Sequence, residues 1–264
     1  MIYFKSIFTN EFELDQIYNS INELKDIIDC AILIEPSFRH NGEPKNLVGL
    51  NSILPKIHNL QVHYMVVPRL DFITTTKESK RHHLYERITR GYFVKGLKLK
   101  DDDIIISVDA DEFLYSNVII DIINKLKSKC KYSKGYKLKL HQFFYKPYWK
   151  AIDHDFIAPS VSYYGSRYLQ KNYWLGKYNL VDWRYSGKLH EEHAGVHLSW
   201  FNTKEELLTK VKTWSHSSEF NLSDNEILSK LNEDINFGRY SFRHPPLKLE
   251  KVEAKDFLPT SLNI

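Results

Sequence analysis

Apolar residues in the first half of the chain fall into two alternating patterns. Leu14, Ile17, Ile21 and Leu24 recur at helical spacing, and so do Leu84, Ile88 and Tyr92. Short apolar runs at 31–34, 62–67 and 104–108 predict buried strands; the last, Ile-Ile-Ile-Ser-Val, is β-branched and bounded by acids. After it, Ser116 or Asn117 can cap a helix carrying Ile119, Ile120, Ile123 and Leu126. Strand alternating with helix predicts an α/β fold with a mainly parallel central sheet flanked by helices. Residues 135–145 alternate like a half-exposed strand, whereas 146–192 are rich in Tyr and Trp and read as loop with short strands. Thr203-x-x-Glu206 and Ser223-x-x-Glu226 are capping boxes that open two further helices. The tail from Pro245 carries little pattern and is expected along the surface. No repeat or Gly/Pro/Ser-rich linker divides the chain, so residues 1–264 read as one domain.

Composition narrows the class. A chain of 264 residues buries roughly three quarters of its surface on folding. Its 42% hydrophobic and 27% charged residues are ordinary globular usage, which excludes disorder. The net charge of +4 is too mild to point to nucleic acid. Cys30 and Cys130 are one distant pair, neither a disulfide framework nor zinc-site spacing, and are expected as buried, reduced thiols. No apolar run reaches about 18 residues, so no membrane span is expected. Residues 1–12 do not read as a secretion signal, and the expected compartment is the cytoplasm. Neither a phosphate-cradling P-loop nor a G-x-S-x-G elbow is present, which weakens ATPase and serine-hydrolase readings.

The segment richest in chemistry is the acidic strand end, Asp109-Ala-Asp-Glu112. Ligands of open α/β sheets bind outside the carboxyl ends of strands. Residues i and i+2 of an extended chain point the same way, so Asp109 and Asp111 are expected to aim two carboxylates at one spot. A hard divalent cation, Mg²⁺ or Mn²⁺, relieves their repulsion and completes its shell with phosphate oxygens. The bland alternative is a solvated acidic turn. His197, just before a capped helix, can add an imidazole ligand, though a lone His is more often structural. Glu86 and Arg90 stand at i, i+4 and read as a surface ion pair unless a site lies beside them. Asp101-Asp-Asp103 reads as a solvated turn.

These residues, taken in order, resemble glycosyltransferase family 17, the family of the β-1,4-mannosyl-glycoprotein N-acetylglucosaminyltransferases. The resemblance rests on Glu13-Leu-Asp15, on Ile32-Leu-Ile-Glu35 with Phe38 and 41–45, and on Glu86-x-x-x-Arg90. It continues through the block 102–112, through Gly195-Val-His-Leu-Ser-Trp200, and through Lys210 with His216 and Glu219. Ser20 stands where the family has Arg, and Val196 where it has Trp. The resemblance implies a GT-A type nucleotide-sugar-binding fold, with residues 1–130 binding the donor and 131–264 the acceptor. It also implies a Mn²⁺ or Mg²⁺ cofactor and inverting transfer from a UDP-sugar, N-acetylglucosamine or similar, to a glycan. It points to a bacterial or viral relative, because no anchor is read in the chain.

On this reading Asp111 and His197 hold the metal, and Asp109 binds it through water or holds the ribose. Arg90, fixed by Glu86, neutralises phosphate or orients the acidic cluster, and Glu35 and Pro36 face the nucleotide. The general base that inversion needs is sought in the second half. Glu192 and Glu191 rank first there, before Asp182 and Glu219. Trp174, Trp183, Trp200, Tyr163 and Tyr164 either stack on sugar faces or pack in the core. Two rivals remain from the residues themselves. One is a metal-dependent nucleotidyl- or phosphoryl-transfer enzyme, since paired Asp at a strand end serves that chemistry too. The other is a non-catalytic carbohydrate-binding protein with aromatic platforms.

Overall fold

The computed structural model describes residues 1–39, 43–49, 57, 59–69, 78–92, 96–128, 135–166, 174–175, 180–181, 184, 187–201, 203–213, 222–243, 245–259 and 262. The first half runs β1 (Ile2–Ile7), α1 (Glu13–Leu24), β2 (Cys30–Pro36), β3 (Gln61–Val67), α2 (Glu78–Gly91), β4 (Ile104–Asp109), the short β5 (Glu112–Leu114) and α3 (Ser116–Ser128). The second half runs β6 (Gly135–Phe144), β7 (Trp149–Tyr163), β8 (Trp174–Leu175), β9 (Leu180–Val181), β10 (Lys188–Ser199), α4 (Lys204–Thr213), α5 (Asp224–Phe237), β11 (Arg239–Tyr240) and β12 (Leu247–Lys251).

The main sheet follows the order β3-β2-β1-β4-β7-β6-β10-β5, with β12 also paired to β7. Its first four strands are parallel, as the alternation of strand and helix demands. The expectation of a mainly parallel sheet fails beyond β4. There β7 runs antiparallel to both β4 and β6, β5 antiparallel to β10, and β12 antiparallel to β7. The physical reason is connection length. Residues 145–148 join β6 to β7 as a short turn, which only antiparallel strands can use. The sheet is therefore mixed, with helices against it.

Each face has its own core. Helices α1 and α3 lay Leu14, Ile17, Ile21, Leu24, Ile119, Ile122, Ile123 and Leu126 against Phe4, Leu33, Ile106 and Leu140. A fully buried side chain of this size is worth roughly 1.5–3 kcal/mol. On α3 the buried position is Ile122 rather than Ile120, which is 47% exposed. Helix α2 covers the other face with Tyr85 and Ile88 against Tyr3, Ile32, Ile34 and Ile105. Helices α4 and α5 pack with Trp200, Phe144 and Tyr240. Both capping boxes form. Glu206 N donates to Thr203 Oγ1 at 3.3 Å, and Ser223 N to Glu226 Oε2 at 2.8 Å.

Other expectations need correction. The central strand β1 escapes the pattern because Lys5, wholly buried, interrupts its apolar run. The stretch expected to be loop contains the 15-residue β7. The tail forms β12 and packs Phe257, Leu258 and Leu262 onto a core of Phe113, Phe143 and Val196. Asp103 is buried, held by Lys100 N at 2.7 Å and the Met1 amino group at 2.8 Å, so it is not a solvated turn residue. Cys30 is buried and makes no disulfide among the described residues, and burial pushes its thiol up to about 11; Cys130 lies outside the described residues. Among the described residues, no helix is long and apolar enough to cross a membrane.

Candidate functional site

Alternation along β4 puts Ile105, Ser107 and Asp109 on the face covered by α2. Asp109 therefore meets Arg90 in the last turn of that helix. Arg90 donates to Asp109 Oδ2 at 2.7 Å and to Oδ1 at 3.3 Å, while Glu86, one turn earlier, accepts from the same guanidinium at 2.8 Å. A second guanidinium, from Arg184, pairs with Asp109 Oδ2 and reaches Glu112 Oε1 at 2.6 Å. Arg184 is 2% exposed and stacks its cation 5.5 Å from the Phe156 ring. Buried between these charges, Glu112 also accepts from Asp109 N at 2.8 Å. Burial and the charge of Asp111 push its carboxyl up, against the downward pull of Arg90 and Lys5.

Asp111 goes elsewhere. Residues 110–111 form a turn, so the strand alternation that would align Asp111 with Asp109 ends at Asp109. Pairing of β5 with β10 then fixes the neighbourhood. His197 lies opposite Glu112, and Leu198 N donates to Asp111 O at 2.8 Å. His197 Nε2 stands 3.4 Å from Asp111 Oδ1 and 3.2 Å from Ser199 Oγ. Lys210 of α4 stands 3.2 Å from Asp111 Oδ2. Burial alone would raise the Asp111 carboxyl; the Lys210 ammonium foremost, with the His197 ring hydrogen-bonded beside it, outweighs burial and holds it well below the usual range. Burial pushes His197 down, further than Asp111 pulls it up, so the ring is neutral with a lone pair to offer. Among the described residues its Nδ1 is buried without a hydrogen-bond partner.

The two aspartates thus do not share one spot. Asp111, Glu112 and His197 each offer a ligand atom within 4.8 Å of the others, a set that does not include Asp109. With Glu112 engaged by Arg184, the groups that fit a hard divalent cation are the Asp111 carboxylate and the His197 imidazole. Asp109 is taken up by two guanidinium groups and does not fit. Few protein ligands are normal for Mg²⁺, which keeps waters or substrate phosphates in its shell.

A cavity of about 510 Å³ opens outside the carboxyl ends of β1 and β2, lined by Thr9, Asn10, Arg39, Lys45, Asn46 and Val48 among others. Glu13 at the start of α1 shapes its rim, accepting from Thr9 N at 2.6 Å and Asn10 N at 3.2 Å. Burial raises the Glu13 carboxyl, while Lys210 lowers it, so this acid links the cavity to the Asp111 cluster. Glu35 builds the wall instead of facing a ligand. Wholly buried, it accepts from Lys45 Nζ, Val48 N at 3.0 Å, Gly49 N at 2.9 Å and Tyr64 Oη at 2.5 Å. Pro36 is buried at the end of β2, opposite Val67.

Glu191 and Glu192 stand apart from the acidic cluster. Both are exposed near the start of β10, where the charge of Glu192 is felt by Lys125 near the end of α3. Five residues of strand separate Glu192 from His197, roughly 16 Å at 3.3 Å per residue. The structure therefore does not bring them to the acidic cluster. Trp200 and Tyr163 are core residues; Asp182, Trp183, Glu219 and the side chain of Trp174 lie outside what is described. Sequence reasoning missed Arg184 and Lys5. The one signal for Arg184 is a cation set between Trp183 and Tyr185, which packing would force to find a carboxylate.

The family model for glycosyltransferase family 17 matches residues 2–244. No curated protein matches the chain.

Proposed function

The chain belongs to glycosyltransferase family 17, and on that premise we propose that it is a metal-dependent inverting transferase. It moves a sugar, N-acetylglucosamine or similar, from a UDP-sugar to a hydroxyl of a glycan. The observation that carries this reading is the cluster of Asp111, His197 and Lys210 at the end of β4, beside a cavity outside β1 and β2. In the reaction the oxygen of an acceptor hydroxyl bonds to the anomeric carbon and its proton passes to a general base, while the bond from that carbon to the diphosphate oxygen breaks. Negative charge grows on the departing diphosphate. Asp111 and His197 would hold Mg²⁺ or Mn²⁺, which when bound supplies Lewis-acid stabilisation of that charge. Lys210 lies within reach of the same charge. Arg90 and Arg184 keep Asp109 and Glu112 neutralised, so these acids do not repel the diphosphate. Arg39 adds a cation to the cavity lining beside Lys45, whose charge the buried Glu35 balances. Glu13 sets the Thr9–Asn10 rim as a positioning group.

A second reading is favoured by the pairing of Asp111 with Lys210: a transferase in which lysine and arginine alone carry the diphosphate charge. Chelation separates the two, since activity that survives a strong chelator belongs to the second. The test is a thermal-shift and UDP-release assay with UDP-N-acetylglucosamine, with and without Mn²⁺. A donor at a hundred times its Kd adds about 2.7 kcal/mol, a rise of roughly 5–10 °C for a chain of this size. Asp111→Asn is expected to abolish both the Mn²⁺-dependent shift and UDP release with the fold kept. Mn²⁺-stimulated donor binding that persists in this variant would overturn the metal assignment.

A further inference from the structure

Three adjacent strands present a second set of metal-ligating side chains, away from Asp111. His141 comes from β6, Asp155 from β7 and His193 from β10. Register separates the sets: His141 lies opposite Val196, and Gln142 opposite His197, so His141 and His197 occupy opposite faces of the sheet. One ligand atom from each of His141, Asp155 and His193 falls within 4.8 Å of the others. His193 Nε2 is 2.7 Å from Asp155 Oδ1. The imidazoles stack with centroids 3.7 Å apart and planes within 12°.

We propose that His141, Asp155 and His193 form a second cation site, which takes a borderline divalent transition metal of the zinc class and leaves one coordination position open. Two imidazoles and one carboxylate match the donor set of zinc sites that keep an open position, and imidazole favours such ions over magnesium. Ligand atoms about 2.0–2.2 Å from a tetrahedral ion lie roughly 3.4 Å apart, so the His193–Asp155 pair at 2.7 Å opens slightly to admit an ion while His141, within 4.8 Å of both, adjusts to it. Rotation of the rings about χ2, a broad torsion for His, supplies that movement. All three residues stand on paired strands, so the backbone is already fixed. The facing charges are Lys139, 3.7 Å from Asp155 Oδ2, and Lys150, which is paired with Glu250. Burial, then His193 and Lys150, pushes His141 down to about 4, so its lone pair is free near neutral pH. The Phe257 ring meets His141 edge-on at 5.0 Å, so a bound ion would sit where the C-terminal tail packs on the sheet.

The test uses the full chain stripped by a chelator and titrated with Zn²⁺ in a large excess of Mg²⁺, read by competition with a chromophoric chelator. Co²⁺ absorption reports the geometry. One equivalent of Zn²⁺ is expected, with imidazole-type Co²⁺ bands. His193→Gln and His141→Gln should each weaken binding about a hundredfold or more. Both residues are partly exposed, and circular dichroism verifies that the variants fold. Asp111→Ala and His197→Ala should keep the equivalent, which separates this site from the one proposed for the transferase. No Zn²⁺ retained against Mg²⁺, or Zn²⁺ lost in His197→Ala but kept in His193→Gln, would overturn the proposal. The trio would then be a hydrogen-bonded His–Asp pair with a stacked ring.

Discussion

Arg184 sits between two carboxylates that would otherwise repel each other in a buried corner. It binds Asp109 and Glu112 together, and Glu112 is wholly buried in turn. Removing one partner of a buried pair costs about 3–5 kcal/mol, because the remaining charge is left without compensation. Arg184→Ala is therefore expected to lower the melting temperature by roughly 6–20 °C, as seen by far-ultraviolet circular dichroism. Arg184→Ala combined with Glu112→Gln should regain part of that loss, since one stranded charge is gone. A single variant as stable as the parent would show that the corner is solvated. The same arithmetic explains why Asp109 is a poor ligand: two guanidinium groups already satisfy it, whereas Asp111 faces one lysine and one neutral imidazole.

At the scale of elements, two short pieces carry disproportionate weight. Strand β5 is three residues long, yet its pairing with β10 sets Asp111 and Glu112 against His197. That pairing needs a glycine at position 195, where a Cβ would run into the backbone oxygen of Phe113 and lie 2.9 Å from Leu114 Cα. Gly195→Ala should push β5 away. Transfer activity should fall at least about tenfold, more than the loss of stability explains. Comparing activity with the melting curve of the same preparation tests this, and a fall in stability alone would count against it. Helix α5 is the opposite case, a local and structural device. Ser223 caps it, accepting from Glu226 N, and Gly238 closes it with φ of 61°. Ser223→Ala should cost about 1 kcal/mol and speed amide exchange in the first turn of α5, with activity unchanged. Uniform exchange changes across the chain would mean that the cap is not the cause.

For the whole molecule, the relevant fact is that one sheet runs through both halves. β4, from the first half, is hydrogen-bonded to β7 from the second over residues 104–107 and 160–163. Among the described residues β5, also from the first half, pairs only with β10. Residues 1–130 expressed alone would leave one edge of β4 and all of β5 unpaired, together with apolar surface on α3 that Leu138, Leu140 and Val161 cover. The isolated half is expected to be aggregated or molten, with collapsed amide dispersion by nuclear magnetic resonance, while the full chain unfolds in one transition. A well-dispersed spectrum from 1–130 would show two independent units.

Helices α1, α2 and α3, strands β2, β3 and β4, and both capping boxes were legible in the chain itself, because each depends on spacing between near neighbours. The acidic strand end was legible for the same reason, and so was its likeness to a transferase family. What only the tertiary structure decided involves residues far apart in sequence. The burial of Lys5 in the central strand, the antiparallel return of β7, and the arrival of Arg184, His197 and Lys210 at the acidic corner depend on long-range pairing. The parting of Asp109 from Asp111 is the clearest case. Local alternation aligns them, but a turn at 110–111, charged partners from α2 and α4 and the His197 ring of β10 draw them to separate places, since a partly buried carboxylate goes where its counter-charge stands.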